Sequence, residues 1–155
     1  MPFTFVRPVD ARVLDGRPLL DLGTGDGQTL RALVDDLRGV VTLDRSTQLA
    51  PMLAADALAL PFGGGTFATV LAADLIHHVG DLDALFAEIR RVLRPDGLLV
   101  AWWYAETPHQ APDAPRFPRS YDDVAAHALF SEVRPLSLEI TLGGGPPTVG
   151  MIARR

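Results

Sequence analysis

The sequence reads as an α/β domain built on a doubly wound, mostly parallel sheet, clipped around its third strand and finished by an antiparallel C-terminal hairpin strand. Three observations carry this reading. Apolar runs of strand length alternate with longer amphipathic stretches, as strand–helix–strand units require. A Gly-rich turn, Gly23-Thr24-Gly25-Asp26-Gly27, joins the first such run to the first amphipathic stretch. Two strand-like runs at the end of the chain are joined through Gly143-Gly144-Gly145-Pro146-Pro147.

Taken in order, Pro18 to Gly23 is a buried strand. Gln28 to Leu37 follows as a helix with Leu30, Leu33, Val34 and Leu37 on one face and Gly39 as its stop. Val40 to Asp44 is the second strand, Thr47 to Leu53 a short helical turn, and Gly63 to Gly65 a loop before the strand Phe67 to Ala73. Leu82, Leu85, Phe86, Ile89 and Leu93 recur at helical spacing, so Leu82 to Leu93 is a helix, with Arg90, Arg91 and Arg94 complementing the negative end of its dipole. Pro95-Asp96-Gly97 turns the chain into the strand Leu98 to Trp103. Tyr104 to Arg119, with Pro108, His109, Pro112, Pro115 and Pro118, reads as a loop of the kind that covers sites. Asp122 to Phe130 is a short helix, and Val133 to Leu142 with Thr148 to Arg154 form the terminal hairpin.

A length of 155 residues at 48% hydrophobic content suits one domain over 1–155, able to bury roughly 70% of its extended-chain surface. The net charge of −5 and the scattered arginines argue against nucleic acid or an anionic membrane as partner, because phosphate neutralisation needs concentrated cations. There are no cysteines, which excludes disulfides, thiolate metal sites and Cys nucleophiles. Arg7, Asp10, Arg12 and Asp15 interrupt the apolar residues of the first stretch, so no signal peptide is expected, and no run is long enough to span a bilayer. The expected location is the cytoplasm. His77, His78, His109 and His127 lack metal-ligand spacing, so no metal is expected.

The glycines of the first turn permit tight turning and let a ligand approach the backbone without Cβ obstruction. A plain strand-to-helix connection would also use them. Asp44 ends the second strand, whose tip lies beside that turn in a doubly wound sheet, where a carboxylate can accept both hydroxyl hydrogens of a ribose. This fits any nucleoside cofactor, NAD included. The dinucleotide pattern G-x-G-x-x-G, however, is not met: position 28 is Gln and the third glycine is Gly27.

Four blocks then occur in a fixed order. Asp21 to Gly27 resembles motif I of the class I S-adenosylmethionine-dependent methyltransferases, and Asp56-Ala57-Leu58-Ala59-Leu60-Pro61-Phe62 is similar to their adenine-contacting segment. Leu75-Ile76-His77-His78-Val79 and Arg90 to Leu99 resemble the later blocks, and the whole resembles a minimal version of the small-molecule "type 11" group, like the enzymes of ubiquinone and menaquinone biosynthesis. The resemblance implies a Rossmann-like fold, S-adenosylmethionine as cofactor, and methyl transfer to a small-molecule O, N or C acceptor. It also implies that Gly23, Thr24, Gly25 and Gly27 pass the methionine part and ribose, while Asp21 orients the loop or meets the donor's amino group. Asp44, with Arg45 beside it, would hold the ribose. Asp56 would meet the adenine amino group, the Ala57 backbone a ring nitrogen, and Ala72 and Ala73 would run near the sulfonium. Leu43, Leu58 and Leu75 could sandwich adenine or serve only as core.

The departures from the family pattern are local. About a dozen positions separate Asp44 from Asp56, too few for a full helix and strand at ~1.5 and ~3.3 Å rise per residue. Only about seventeen residues precede the first predicted strand, so the usual N-terminal helices are expected to be missing, and Ala68 replaces an acidic residue. Either the 104–119 loop or a second copy of the chain, in a homodimer, could then close the acceptor pocket.

Methyl transfer from a sulfonium is an in-line displacement whose leaving group needs no proton, so positioning can supply most of the catalysis. If a base is needed, His78 or His77 is the candidate; adjacent residues rarely share a face, and packing or capping is the alternative role for each. Asp74 is a further candidate, with capping of the next turn as its alternative. Trp102, Trp103 and Tyr104 could line the acceptor side, though their alternation makes at least one of them core. The N/D-P-P-Y/F tetrapeptide of nucleobase and glutamine amino methylation is absent. Two other readings stay open: a donor-binding but catalytically silent regulatory or partner subunit and, behind it, an NAD-dependent enzyme.

Overall fold

The computed structural model describes residues 5–47, 51–106, 116–141 and 147–155. Along the chain the elements are β1 (Phe5–Pro8), a 3-10 turn (Ala11–Leu14), β2 (Leu19–Leu22), α1 (Gln28–Leu33), β3 (Val40–Asp44) and β4 (Leu53–Ala54). They continue with β5 (Phe67–Ala73), a second 3-10 turn (Ile76–His78), α2 (Leu82–Val92), β6 (Leu93–Tyr104), α3 (Tyr121–His127), β7 (Glu132–Pro135), β8 (Leu138–Thr141) and β9 (Thr148–Arg154). Seven strands form one sheet in the order β4-β3-β2-β5-β6-β9-β7. Pairing is parallel from β4 to β6 and antiparallel where β9 meets β6 and β7. The doubly wound, mostly parallel sheet with reversed last strands is therefore as expected, and the third strand is a two-residue stub.

Side chains alternate across this sheet. On β6, Leu99, Ala101 and Trp103 join the core against α2 and α3, which contribute Leu85, Phe86, Ile89 and Val124. Val100 and Trp102 face the opposite way, into a second core with Val6, Leu14, Leu30 and Val34. The helix α2 forms where its apolar spacing and its caps agree: Asp81 accepts from the Ala84 N–H at 2.9 Å, and Arg90 and Arg91 lie in its last turn. Leu85 and Ile89 are fully buried, so truncating either to Ala should cost about 2–5 kcal/mol.

Several elements differ from the sequence reading. The first helix ends at Leu33, not Leu37, and Leu37 is exposed. Asp35 and Asp36 oppose the negative pole of a helix C-terminus, and the Arg17 guanidinium draws out the carbonyls of Asp36 and Arg38 at 3.1 and 3.2 Å. Leu53 belongs to β4 and not to a helical turn; residues 48–50 of that prediction lie outside the described residues. The turn at Pro95-Asp96-Gly97 falls within the long strand β6, where a register shift between Phe67 and Thr69 of the partner β5 absorbs it. Among the described residues the predicted terminal hairpin is met by β7 pairing with β9, and residues 142–146 of that prediction lie outside them. The run predicted as Val133 to Leu142 breaks after Pro135, and β8 leaves to pair antiparallel with β1, which the sequence reading had missed. Gly150 makes the departure feasible, since a Cβ there would lie 2.9 Å from Leu138 and 3.1 Å from Leu136. Among the described residues no helix is long and apolar enough to cross a membrane.

Candidate functional site

Because β2, β3 and β5 run parallel, their C-terminal tips share one sheet edge, and ligands of such sheets bind outside those tips. A cleft of about 520 Å³ opens there. Its wall takes Asp21, Gly23, Thr24, Gly25 and Asp26 from β2 and the turn after it, and Leu43, Asp44 and Arg45 from the tip of β3. Ala55 to Leu58 close one end, while Ala73, Asp74, Leu75 and His78 close the other.

The glycine turn is folded by its own backbone. Gly23 and Thr24 both donate to the Leu43 carbonyl, at 2.8 and 3.1 Å, which ties the turn to β3. Gly23 and Gly25 have φ of 75° and 57°, in the left-handed region that side chains disfavour. A Cβ on Gly25 would meet no atom within 4 Å, so the backbone there is bare toward the cleft. The Gly25 N–H donates to Asp44 Oδ2 at 2.9 Å, and Ser46 N–H donates to Oδ1 at the same distance, leaving each oxygen a further lone pair. Asp56 heads a local turn in which its Oδ1 accepts from the Leu58 N–H at 2.9 Å.

Two carboxyls beside the glycine turn are deprived of water. Burial pushes Asp21 up to about 6, with the nearby Asp44 charge adding to the effect. Burial likewise pushes Asp74 up to about 6, and Asp74 adopts φ 56°, rare for a residue with a Cβ. The phenol of Tyr104 is raised by burial and by the Asp74 charge.

The two histidines part company, as neighbours on a turn do. His78 lies on the cleft wall and is exposed. His77 is buried and off that wall, its Nδ1 receiving the Tyr104 N–H at 3.4 Å and its ring centroid 5.1 Å from that of Tyr104. Burial, aided by the His78 and Arg116 charges, depresses His77 to about 4. The end of the 104–119 segment straps this turn. Phe117 N–H donates to the His77 carbonyl, Arg119 donates to the carbonyls of Val79 and Gly80, and Trp103 Nε1 donates to the Arg119 carbonyl. The strap closes on itself, with Arg119 N–H donating to the Ala105 carbonyl at 3.2 Å. His109 and the rest of 107–115 lie outside the described residues.

Of the residues singled out in the sequence, the cleft thus gathers Asp21, Gly23, Thr24, Gly25, Asp44, Arg45, Asp56, Ala57, Ala73 and His78. Gly27 is not on the wall: it caps α1 at φ 76°, where a Cβ would meet Arg31 at 2.8 Å, so its glycine serves the backbone. Sequence reasoning passed over Asp26, Thr29, Ala55, Val79 and Gly80. Thr29, two residues past the α1 cap, and Asp26, a carboxylate within the glycine turn, were findable; Ala55, Val79 and Gly80 carry no chemical signal. Among the described residues no group of three His, Cys, Asp or Glu is placed to hold a metal ion.

Comparison with known proteins bears on this geometry. A family model described as "Methyltransferase domain" matches residues 20–101, more than half of the chain. A demethylmenaquinone methyltransferase of Beutenbergia cavernae is 35% identical over 107 residues, covering 63% of this chain and 44% of that protein. A 2-methyl-6-phytyl-1,4-hydroquinone methyltransferase of Synechocystis is 32% identical over 112 residues, covering 63% and 35%. The matches thus span less than half the length of either curated relative. In the solved structure of Burkholderia thailandensis 1,6-didemethyltoxoflavin-N1-methyltransferase, with 1,6-didemethyltoxoflavin and S-adenosylhomocysteine bound, the fold agrees at TM-score 0.68 and 19% identity, over 90% of this chain and 72% of that one. An S-adenosylmethionine-dependent methyltransferase of Mesorhizobium loti agrees at 0.67 and 17%, over 90% and 91%. With its family model matched across the glycine turn, the β3 tip and the histidine turn, and with this fold, the chain belongs to the methyltransferase-domain family of class I S-adenosylmethionine-dependent methyltransferases.

Proposed function

We propose that the chain binds S-adenosylmethionine in the 520 Å³ cleft and transfers its methyl group to a small-molecule acceptor. The observation that carries this reading is the meeting, on one sheet edge, of a bare glycine turn, the Asp44 carboxylate and the Asp56 turn. Volume and lining suit a ligand of nucleoside-plus-amino-acid size. In this reading Asp44 accepts from the ribose hydroxyls with the lone pairs that Gly25 and Ser46 leave, and Arg45 flanks it. Asp56 and the Ala57 backbone face the adenine edge, and Leu43, Leu58 and Leu75 supply its apolar walls. Gly23, Thr24 and Gly25 let the methionine part lie against the backbone, and Asp21 receives the amino group or steadies the turn. Ala73, at the tip of β5, leaves room beside the reacting methyl.

When bound, the donor supplies a methyl group already activated by its sulfonium. The chain's task is then alignment and exclusion of water, and His78, on the wall, is a positioning group whose imidazole can also receive a proton leaving the acceptor. The demethylmenaquinone and 1,4-hydroquinone in the names of the curated relatives support a ring-shaped acceptor. Calorimetric titration with S-adenosylhomocysteine and with NADH tests the cofactor, and methyl incorporation into metabolite pools tests the activity. Heat from NADH alone would overturn the donor assignment, and tight donor binding without turnover on any pool would assign the chain a silent, regulatory role.

A further inference from the structure

A second cavity, of about 280 Å³, adjoins the cleft and shares Thr29 and Asp74 with it. Phe5 and Val6 of β1, Gln28 and Ala32 of α1, and Trp102 and Tyr104 at the end of β6 complete its wall. An apolar cavity of about 150 Å³ accepts benzene, so this one has room for a molecule of one or two rings.

Two buried polar atoms on this wall lack a hydrogen-bond partner among the described residues: Oδ1 of Asp74 and the indole Nε1 of Trp102. Neighbouring Trp103 shows the contrast, its Nε1 donating to the Arg119 carbonyl at 2.8 Å. Buried polar groups are nearly always paired, and an unpaired one weakens the fold. Asp74 adds a second cost, its left-handed φ of 56°, and such strain collects at functional sites. Its N–H donates to the Trp102 carbonyl at 2.9 Å, which holds the two residues side by side. An unmet hydrogen-bond acceptor and an unmet donor thus belong to two residues joined through their backbones, on a wall that also carries the polar Gln28 and Thr29, at the junction with the cleft.

We propose that this cavity is the acceptor chamber and that Asp74 and Trp102 select a ring bearing a free hydroxyl or amine. The ring O–H or N–H donates to the Asp74 carboxylate, while the Trp102 N–H donates to a lone pair on the same ring system. A ring whose oxygens are capped as ethers meets only half of the pair. The proposal rests on the donor reading of the larger cleft, but its binding test can be read without the donor.

The probe is 1,4-hydroquinone, with 1,4-dimethoxybenzene as the capped control, titrated with and without S-adenosylhomocysteine. The chain has two tryptophans, so two indole N–H resonances report by NMR. Hydroquinone is expected to shift the Trp102 resonance and not that of Trp103, with the capped control binding about tenfold more weakly. Asp74→Asn and Trp102→Phe should each lower hydroquinone affinity about tenfold, with Trp102→Phe leaving S-adenosylhomocysteine affinity unchanged. A thermal midpoint for Asp74→Asn equal to or above wild type, together with that loss, would separate recognition from a structural role. Equal binding of the two probes, shifts at neither indole, or an Asp74→Asn variant that melts lower with unchanged probe affinity would each overturn the proposal. Failure of the donor reading shows separately, as absence of S-adenosylhomocysteine binding while the hydroquinone shifts persist.

Discussion

The backbone N–H of Gly25 donates to Oδ2 of Asp44 at 2.9 Å, so the carboxylate proposed to hold a ligand also holds the turn on which that ligand would lie. Asp44→Ala should therefore act twice, removing ligand hydrogen bonds and slackening the glycine turn. A hydrogen bond to a charged group contributes about 1.5–3 kcal/mol, so S-adenosylhomocysteine affinity should fall tenfold or more. Calorimetry checks this; an unchanged dissociation constant in a folded variant would reduce Asp44 to a turn residue.

Gly25 and Gly27 should separate binding from folding. Both have positive φ, so Ala at either position should cost about 1 kcal/mol of stability. Only the Gly25 Cβ would project into the open cleft, whereas the Gly27 Cβ would press on Arg31. Gly25→Ala is expected to lose donor affinity severalfold beyond its loss in melting temperature, and Gly27→Ala to lose stability with affinity largely kept. Paired melting and titration curves decide, and equal affinity losses would sink the distinction.

Stability should depend on pH through three buried groups with opposed signs. Asp21 and Asp74, both raised to about 6, bind protons in the folded chain that the unfolded chain releases near 3.8, so their contribution is present at low pH and lost as pH rises toward 6. His77, lowered to about 4 from 6.5, does the reverse: the unfolded chain takes up the proton first, so stability grows with pH across that window. Two falling limbs and one rising limb leave a net fall between about pH 4 and 6 from these groups. Asp21→Asn should flatten that fall and His77→Gln should steepen it. Melting scans across this range would show superimposable slopes if the three groups were not so perturbed.

His78→Ala should reduce turnover less than tenfold, because a sulfonium leaves without a proton and alignment does most of the catalysis. A dedicated general base would account for about a hundredfold or more. The comparison needs the acceptor found by the metabolite screen and rates across pH. A hundredfold loss with disappearance of a near-neutral limb would instead assign His78 the proton transfer.

Much of this fold was legible because its inner strands are apolar runs bounded by turn residues. Val40 to Asp44 and Phe67 to Ala73 coincide with β3 and β5, and α2 follows its periodicity to within one residue. The end of α1 was not legible, because Val34 and Leu37 extend the helical pattern while the competing partner, Arg17, stands far back in the chain. The pairing of β1 with β8 escaped for the same reason: Arg7 meets Glu139 across almost the whole sequence, and strands of four residues carry little pattern. At the candidate site, the glycines and carboxylates announced themselves by type and order. The cavity behind Asp74 did not, since it depends on which face of β6 carries Trp102.

The hydrogen bond between Arg119 N–H and the Ala105 carbonyl means that the chain leaves the sheet edge and returns to it at one point. Such a stem isolates whatever it carries. Lengthening a flexible loop costs only about 0.6 kcal/mol per doubling, and here no strand register would feel the change. Insertions after Glu106 and before Arg116, clear of the strap that holds the histidine turn, should therefore be among the best tolerated in the protein. Evolution or an engineer could thus alter the chain between the two ends of this stem in a single step, without disturbing the strands that carry the cleft.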